Sequence, residues 1–430
     1  MGAAGCLNAI KSAVDAPEFE MNEKVKQKMS SDRQILISGA GPVGYATALN
    51  LALHGIPFTL FESGADIFED PRAGTIHPPT LEMFEASGVT QAMLDEGYIV
   101  RNYHYRDRRD GIVADFHLEA LKDETRHPYR VMLEQHKLSR ILRDKLKGFG
   151  NHQILNEHRV ARVVQDGDGV TAIVETPQGE KSFRGAYMIG CDGGRSQVRK
   201  SMNVKFDGFT YPERFLVLST KYDFGAHGYA ITNYIADPDE WCALFKVPGY
   251  DGKGLWRILF PAAHEASEAE LFDEASIQKR ISGFQTKDGP YDIYHRNLYE
   301  VHQRVASSYR DGRLLLAGDA AHINNPLGGM GMNFGLHDSF NLTDKLAKIW
   351  FEGASEDLLD LYDRQRRTVA QEFLQRQTIE NKRNIEQKDP AEREKFYEDL
   401  RAITRDPEKL RVYLLRVAMI EGIRRSNSIT

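Results

Sequence analysis

Short apolar runs, each bounded by turn residues, recur along this chain. Four of them, at 35–37, 58–61, 187–189 and 314–316, are apolar at nearly every position. Because they are short and continuously apolar, they predict strands that are buried on both faces, as in a parallel sheet. A periodic helix at 45–53 follows the first run. Strands that alternate with helices predict an α/β fold.

Two other patterns fill the rest of the chain. Between 206 and 294, the runs 215–218, 241–245 and 256–260 are separated by turn residues, which predicts an inserted, mostly antiparallel sheet. From 357 onward the chain is predicted to be helical. Asp389 and Asp406 each precede a proline and predict helix N-caps, the first with Glu392 as a capping-box glutamate. The last helix, with Val412 and Leu415 on one side, is expected to pack against the body or a second subunit.

Composition excludes several classes of protein. The 430 residues are 41% hydrophobic and 27% charged, which is typical of a globular protein. A net charge of −6 argues against a nucleic-acid partner. No run reaches the roughly 18 apolar residues that a membrane span requires. The three cysteines are too few and too scattered for a metal site or a disulfide framework, so we expect no metal and a cytoplasmic location.

The first chemical motif is Gly39-Ala40-Gly41-Pro42-Val43-Gly44. It lies between the first predicted strand and the first helix, the order that dinucleotide binding requires. Glu62 ends the second strand, at about the spacing from which an acidic residue binds the adenosine ribose. FAD and NAD would satisfy this motif equally.

Two further motifs follow strands. Asp319 comes after the run 314–316, where the carboxyl end of a strand in an α/β sheet meets ligands. The glycines that follow permit close approach to a flat ring, and Gly331, Met332 and Asn333 would present free N–H groups at a helix start. Such a start favours negative charge, so it suits a reduced flavin better than a nicotinamide. Asp192 follows the run 187–189 in the same way.

Together these motifs resemble the single-component FAD-dependent aromatic monooxygenases, the family of p-hydroxybenzoate hydroxylase, in its short form without a thioredoxin-like C-terminal domain. The resemblance implies that FAD is bound by Gly39, Gly41, Pro42, Val43, Gly44, Glu62, Ser63, Arg72, Gln135, Asp192, Asp319, Gly331, Met332 and Asn333. In it, Asp319 holds the ribityl chain and Pro326 lines the substrate side of the flavin. His322, in the same segment, is expected to be structural.

The family fold implies a Rossmann-like FAD-binding domain that is discontinuous, an inserted substrate sheet and a helical tail. We therefore predict a mobile extension at 1–32, an FAD-binding domain at 33–205 and 295–350, a substrate sheet at 206–294 and C-terminal helices at 351–430, through which a homodimer would form. The implied reaction is hydroxylation of an electron-rich phenol or aniline by O2 and NADH or NADPH, through a flavin C4a-hydroperoxide.

The choice of nicotinamide and the substrate stay open. There is no second glycine fingerprint, so NADH or NADPH would bind transiently, its phosphates attracted by Arg72, Arg195 and Arg199. Ser63 stands where some members have a basic residue, which favours NADH slightly. No catalytic base can be assigned; the candidates in the inserted sheet are His227, Tyr229, Tyr234 and Arg257, and Arg257 would also suit a carboxylated substrate.

Three alternatives compete with this interpretation. The same fold supports other flavin reactions, such as epoxidation, Baeyer–Villiger insertion or reduction. A plain NAD-dependent dehydrogenase would use the first motif alone and leave Asp192 and Asp319 unexplained. A non-enzymatic binding module for lipidated proteins could share the fold without the flavin, but the retained glycines and Asp319 argue against it.

Overall fold

The structure is a computed structural model and describes residues 33–69 and 74–430. The strands in these ranges, numbered in chain order, are β1 (Ile35–Ser38), β2 (Phe58–Phe61), β3 (Thr75–Ile76), β4 (Tyr98–Val100), β5 (Asn102–Asp107), β6 (Gly111–His117), β7 (Arg130–Met132), β8 (His152–Leu155), β9 (Arg159–Gln165), β10 (Val170–Thr176), β11 (Gly179–Gly185), β12 (Tyr187–Gly190), β13 (Phe206–Thr220), β14 (Thr232–Ala236), β15 (Cys242–Val247), β16 (Leu255–Ala263), β17 (Ile293–Ala306), β18 (Arg310–Asp311), β19 (Leu314–Leu316) and β20 (His322–Ile323).

The helices in the same ranges are α1 (Pro42–Leu53), α2 (Pro78–Phe84), α3 (Val89–Glu96), α4 (Gln135–Leu146), α5 (Gln197–Ser201), α6 (Glu268–Leu271), α7 (Glu274–Ser282), α8 (Gly331–Glu352), α9 (Asp357–Val369), α10 (Arg376–Ile385), α11 (Pro390–Arg405), α12 (Pro407–Val417) and α13 (Ile420–Ser428). A π-helical segment (Ala370–Gln375) joins α9 to α10. No helix in the described ranges is long and apolar enough to cross a membrane.

The first sheet has six strands in the order β18-β19-β12-β1-β2-β8. All neighbours are parallel except β18, and every position of β1 is buried. This burial on both faces explains why the runs that became β1, β2, β12 and β19 are continuously apolar. The four predicted strands and the α/β fold class are confirmed, with α1 and α8 packed together beside this sheet.

The second large sheet has eight strands in the order β20-β17-β13-β16-β15-β14-β5-β6. It is antiparallel except where β14 runs parallel to β5. The sheet extends beyond the predicted insertion at 206–294, because β5 and β6 join from 102–117 and β17 continues to Ala306. Pairing between strands so distant in sequence leaves no local signal. The division of the chain into domains stays a prediction.

The eight-stranded sheet has two differently covered faces. Its inner face, with Val217 and Leu259, packs against Leu327 and the tail helices. Its outer face, with Leu218, packs against Phe224 and α7. Two three-stranded sheets, β11-β10-β9 and β3-β7-β4, complete the described strands. The second of them packs against β15 and β16 through one buried apolar cluster that includes Met132.

The helical tail is confirmed, with two changes of detail. Asp389 and Asp406 cap α11 and α12 as predicted, but the Asp389 amide donates no capping-box hydrogen bond to Glu392 and instead donates to Gln387 Oε1 at 3.1 Å. The predicted last helix is two helices, because Met419 has a φ of +69° and turns the chain between α12 and α13. The Met419 side chain is buried beside Met330, which fixes that turn.

Candidate functional site

The three chemical motifs converge on one edge of the six-stranded sheet. Gly39 follows β1, Glu62 follows β2, Asp192 lies just beyond β12, and Asp319 lies just beyond β19. These strands are parallel, so their carboxyl ends lie side by side. We call this the cofactor edge.

The glycine loop at this edge shows where the chain leaves room. Gly39 has a φ of +94°, and a Cβ atom there would lie 2.5 Å from the Cys191 carbonyl oxygen. A Cβ atom on Gly44 would lie 1.8 Å from the Gly39 carbonyl oxygen. Both positions therefore need glycine for packing alone. At Gly41 a Cβ atom would meet nothing within 4 Å, so the loop faces space that a ligand can approach.

A cleft of about 400 Å³ opens beside this loop. The Glu62 carboxylate lies in its wall and accepts hydrogen bonds from the amides of Ala40 and Gly64, each at 2.8 Å. Glu62 thus fixes the glycine loop and still borders the cleft. The predicted cofactor residues that line it are Gly41, Pro42, Glu62, Ser63 and Gln135.

The start of α8 lies near the same edge. Its N-cap is Met330, and no side chain of the described residues caps it, so the first amides of Gly331 and Met332 are available to a ligand. The Asn333 side chain points elsewhere: Oδ1 accepts from the His77 amide at 3.0 Å, and Nδ2 donates to the Thr75 carbonyl at 2.7 Å. Only the backbone of Asn333 remains for a cofactor.

Val43 has a packing role between α1 and α8. Cβ atoms placed on Gly318 and Gly335 would lie 3.0 Å and 2.6 Å from its Cγ2 atom. Val43 therefore sets the close approach of α1 to the segment that carries Asp319, which is itself exposed.

A buried charge network supports the Asp319 turn from behind. The Asp338 carboxylate accepts from Arg366 Nε at 2.6 Å, from the Gly318 amide at 3.1 Å and contacts His322 Nε2 at 2.8 Å. His322 and Asp338 are fully buried. His322 thus holds the turn in place and does not reach the cleft, in keeping with its expected structural role.

Asp192 is held by the helix start that follows it. Its Oδ2 atom accepts from the amides of Gln197 and Val198 at 2.8 and 3.2 Å. Burial raises the pKa of this carboxyl, and the Ser196 hydroxyl is the largest effect opposing the rise. The expectation that Arg199 attracts nicotinamide phosphates is wrong, because its buried guanidinium donates to the carbonyl oxygens of Ala320 and Gly194. Arg195 is exposed.

A row of five residues, four of them polar, crosses the inner face of the eight-stranded sheet, and we call it the polar row. Register pairs place five residues on adjacent strands, one beside the next. In order across the sheet they are Thr232, Phe245, Arg257, Ser219 and His295. Arg257 is only 5% exposed, and the hydroxyls of Thr232 and Ser219 are buried without a hydrogen-bond partner among the described residues. Buried hydroxyls without partners are uncommon, and a polar ligand or a water molecule bound beside them would satisfy them.

Tyr234 lies on the same face, two residues along β14 from Thr232. Burial raises the pKa of its hydroxyl, and the Arg130 cation and the Gly328 amide oppose the rise. Tyr234 therefore reaches the glycine segment before α8. The Pro326 carbonyl in that segment accepts from the Gly329 amide at 3.0 Å, which makes a tight turn.

Two other candidate bases lie away from this face. His227 is exposed on a turn that packs with the outer face, where its Nε2 atom lies 2.6 Å from the Tyr222 hydroxyl. The Tyr229 hydroxyl donates to the Phe284 carbonyl at 3.0 Å, also in the outer cluster. The structure does not bring either residue to the cofactor edge. Arg72 lies outside the described residues.

Comparison with known proteins identifies the family to which the chain belongs. The model of the FAD binding domain family matches residues 32–377. The chain belongs to this family. It is 32% identical over 392 residues to para-nitrophenol 4-monooxygenase of Pseudomonas sp. (strain WBC-3), covering 91% of this chain and 96% of that protein. It is 30% identical to 6-hydroxy-3-succinoylpyridine 3-monooxygenase HspB of Pseudomonas putida, covering 89% and 97%.

A solved structure of p-nitrophenol 4-monooxygenase from Pseudomonas putida DLL-E4 superposes with a TM-score of 0.86 at 31% identity, covering 92% of this chain and 98% of that one. The protein is thus an FAD-dependent aromatic monooxygenase of the single-component, p-hydroxybenzoate hydroxylase-like family. These relatives give no support to a plain dehydrogenase or a non-enzymatic binding module.

FAD fits the residues at the cofactor edge of this family member. The open space at Gly41, the cleft beside Glu62 and the uncapped start of α8 offer room and N–H donors for an anionic dinucleotide. The flavin would then lie between that helix start and the inner face of the eight-stranded sheet.

Two residues near this space were not identified from the sequence. His77 is buried, and its Nε2 atom lies 3.1 Å from the Gly328 carbonyl oxygen. Arg130 is 2% exposed and lies over the Tyr103 ring at 4.7 Å. His77 stands in the segment that contains Arg72, a signal that could have drawn attention to it. Arg130 has no motif around it, and it is brought inside by the pairing of β7 with β4 and by the contact with Val417.

Proposed function

We propose that this monooxygenase hydroxylates a phenol at the ring carbon para to the hydroxyl group, with 4-nitrophenol as the first candidate substrate. The observation that carries the proposal is the end-to-end match to para-nitrophenol 4-monooxygenase, combined with a polar row on the inner face where a ring would lie. A deprotonated phenol is most electron-rich at its ortho and para carbons. Para attack is therefore within the ordinary reactivity of this substrate class.

The inner face supports a substrate with polar groups. Arg257 stands in the middle of the polar row and carries a positive charge, while Phe245 beside it offers a flat apolar contact. Arg257 would bind a nitro or carboxylate group of the substrate, and the unpartnered hydroxyls of Thr232 and Ser219 would complete that contact.

At the cofactor edge, Glu62 and the glycine loop would hold the adenosine and phosphate portions of FAD, and Asp319 the ribityl hydroxyls. The first amides of α8 would face the flavin ring. When bound, FAD supplies the activation of oxygen that no amino-acid side chain supplies. The residues of the chain position the ring and keep water away from it.

The walls of the site are tied together by buried contacts. Glu134 accepts from the Gly249 amide at 2.6 Å and pairs with Lys137 at 3.1 Å, while Lys137 donates to the Gly249 carbonyl at 2.7 Å. These bonds hold the turn between β15 and β16 against the start of α4. A site wall fixed in this way would help to keep water from the flavin and so limit the wasteful release of hydrogen peroxide.

The nicotinamide cosubstrate, assembly and location complete the proposal. NADH or NADPH would dock transiently near Asp192 and the exposed Arg195, with NADH favoured slightly by Ser63 after Glu62. We expect a homodimer through the tail helices and a cytoplasmic location, in keeping with the small number of cysteines.

The test is to incubate the purified yellow protein with 4-nitrophenol, oxygen and either nicotinamide. Para attack displaces the nitro group as nitrite and leaves a quinone; the second oxygen atom leaves as water and the nicotinamide is oxidised. Attack beside the hydroxyl gives a nitrocatechol and no nitrite. Nitrite that matches the nicotinamide consumed would support the proposal. Nitrocatechol, or hydrogen peroxide alone, would contradict para hydroxylation of this substrate.

A further inference from the structure

Arg130 is a buried cation whose environment lacks the usual counter-ion. Its side chain is on β7, and Nη2 donates to the Val417 carbonyl oxygen at 3.2 Å. The Nε atom is buried without a hydrogen-bond partner among the described residues, and no carboxylate of those residues forms an ion pair with it. An isolated buried charge is strongly destabilising, so Arg130 destabilises the fold unless a negatively charged group binds beside it.

The guanidinium lies beside a group of tyrosines, since the Tyr103 ring beneath it meets the Tyr234 ring edge-on, with 6.2 Å between the ring centres. It lies 4.7 Å from the centre of the Tyr103 ring. Burial raises the pKa of Tyr103, Tyr234 and Tyr413, and in each case the positive charge of Arg130 opposes the rise. The same charge adds to burial in holding the pKa of His77 well below its usual value, so His77 is neutral. Arg130 is therefore a positive charge that acts on all four of these groups, and we call the five residues together the Arg130 cluster.

The Arg130 cluster borders the glycine segment before α8. His77 contacts the Gly328 carbonyl oxygen from one side, and Tyr234 lies against the Gly328 amide from another. Gly328 has a φ of +108° and belongs to the turn that leads into the uncapped helix start. Arg130 thus faces the place where the cofactor edge and the inner face meet.

We propose that Arg130 binds the deprotonated hydroxyl oxygen of the phenol substrate and makes the enzyme select the phenolate form. This inference rests on the proposed function. A phenolate supplies the negative charge that the Arg130 cluster lacks, and the tyrosine hydroxyls of that cluster can donate to the same oxygen. The bound phenolate is also more electron-rich at the para carbon than the neutral phenol, so the same contact binds the substrate and activates it.

A structural role alone is the competing explanation. The contacts with Tyr103 and Val417 would stabilise the packing of α12 even if no substrate oxygen approached. The two explanations differ in one observable, the ionisation state of the bound ligand, because a purely structural arginine does not change the proton affinity of a substrate.

The experiment uses 4-nitrophenol as the probe, since nitrophenolate absorbs visible light and neutral nitrophenol does not. The holoenzyme is titrated with it at a pH below the pKa of free nitrophenol, under anaerobic conditions without nicotinamide. We expect the wild-type enzyme to bind the yellow nitrophenolate. Arg130→Met should weaken binding by about tenfold to a hundredfold and bind the colourless form, and Arg130→Lys should restore part of both effects.

Arg101→Met is the matched control, because Arg101 also lies over a tyrosine ring, Tyr129 at 5.8 Å, but is exposed. It should leave affinity and ionisation unchanged. Neutral nitrophenol bound to the wild-type holoenzyme would overturn the inference, and this measurement stands even if Arg130→Met does not fold. Unchanged ionisation in a folded Arg130→Met would also overturn it. If the wild-type holoenzyme neither binds nitrophenol nor oxidises nicotinamide with it, the proposed function itself fails.

Discussion

The cofactor edge and the inner face of the eight-stranded sheet are built by different means. At the cofactor edge, backbone geometry determines the shape of the site: Gly39 and Gly44 allow close packing, and Gly41 leaves room for a ligand. On the inner face, side chains from strands far apart in sequence meet through register, as Ser219 and Arg257 do. The first region is specified locally, whereas the second depends on the whole fold. The cofactor edge should therefore tolerate little change, and the inner face should tune substrate preference.

The largest effect should come from the buried support of the cofactor edge. Asp338→Ala leaves Arg366 buried without its carboxylate and should lower the free energy of unfolding by about 3–5 kcal/mol. Urea unfolding followed by fluorescence measures this loss. Asp344→Ala, which removes an exposed carboxylate near His54, is the control and should change stability by less than about 0.5 kcal/mol.

The same carboxylate gives stability a pH dependence. Burial alone would raise the pKa of Asp338, but Arg366 and His322 hold it below the usual 3.8. A carboxyl with a depressed folded pKa contributes stability above its unfolded pKa and loses it as pH falls through the folded value. Wild-type stability should therefore decline below about pH 4 more steeply than that of Asp338→Ala. Parallel slopes would show that this network is not the source of acid sensitivity.

The next effect separates cofactor binding from folding. Asp319→Ala should give a folded but largely colourless protein, because hydrogen bonds from the ribityl chain to a carboxylate are lost and FAD affinity falls by about tenfold to a hundredfold. The measurements are the flavin absorbance per protein and the far-UV circular dichroism. Asp168→Ala, at an exposed turn, should stay yellow. Full flavin occupancy in Asp319→Ala would mean that this motif does not bind the cofactor.

A smaller effect should follow from a change on the inner face. Arg257→Met should keep FAD but raise the dissociation constant of a nitro- or carboxyl-substituted phenol by about tenfold, since a charged hydrogen bond is lost. Unsubstituted phenol should bind to both proteins equally. If the dissociation constants of both ligands rise alike, Arg257 stabilises the sheet and does not bind the substituent.

The smallest effect tests the boundary of the comparison. His227→Ala removes an exposed ring that stacks on Tyr222, on the outer face and away from the cofactor edge. Turnover and its pH profile should match those of the wild-type enzyme. A strong loss of turnover would require the outer face to take part in the reaction.

Much of the cofactor edge is predictable because its signals are local. An apolar run, an aspartate and closely spaced glycines lie within about twenty residues of Asp319, and each reflects a backbone requirement of strand, turn or helix start. The parallel strands β1, β2, β12 and β19 could be predicted for the same reason.

The Arg130 cluster could not be predicted in this way. Arg130, Tyr103, Tyr234 and Tyr413 come from separate parts of the chain, and the charge of Arg130 looks like any surface arginine until β7 is paired and covered. His227 shows the same dependence on the whole fold: its residue type suited a base, but the turn between β13 and β14 that carries it packs with the outer face. The direction of a side chain depends on register, which distant pairing sets.

The bond between Arg130 and the Val417 carbonyl joins residues 287 positions apart. Translation proceeds from the amino terminus, so every motif of the cofactor edge leaves the ribosome before α12 does. Until that helix arrives, the inner face of the eight-stranded sheet lacks part of its cover. In a prematurely terminated polypeptide that ends before α12, water would therefore reach the flavin. Such a polypeptide would oxidise the nicotinamide and release hydrogen peroxide instead of hydroxylated product.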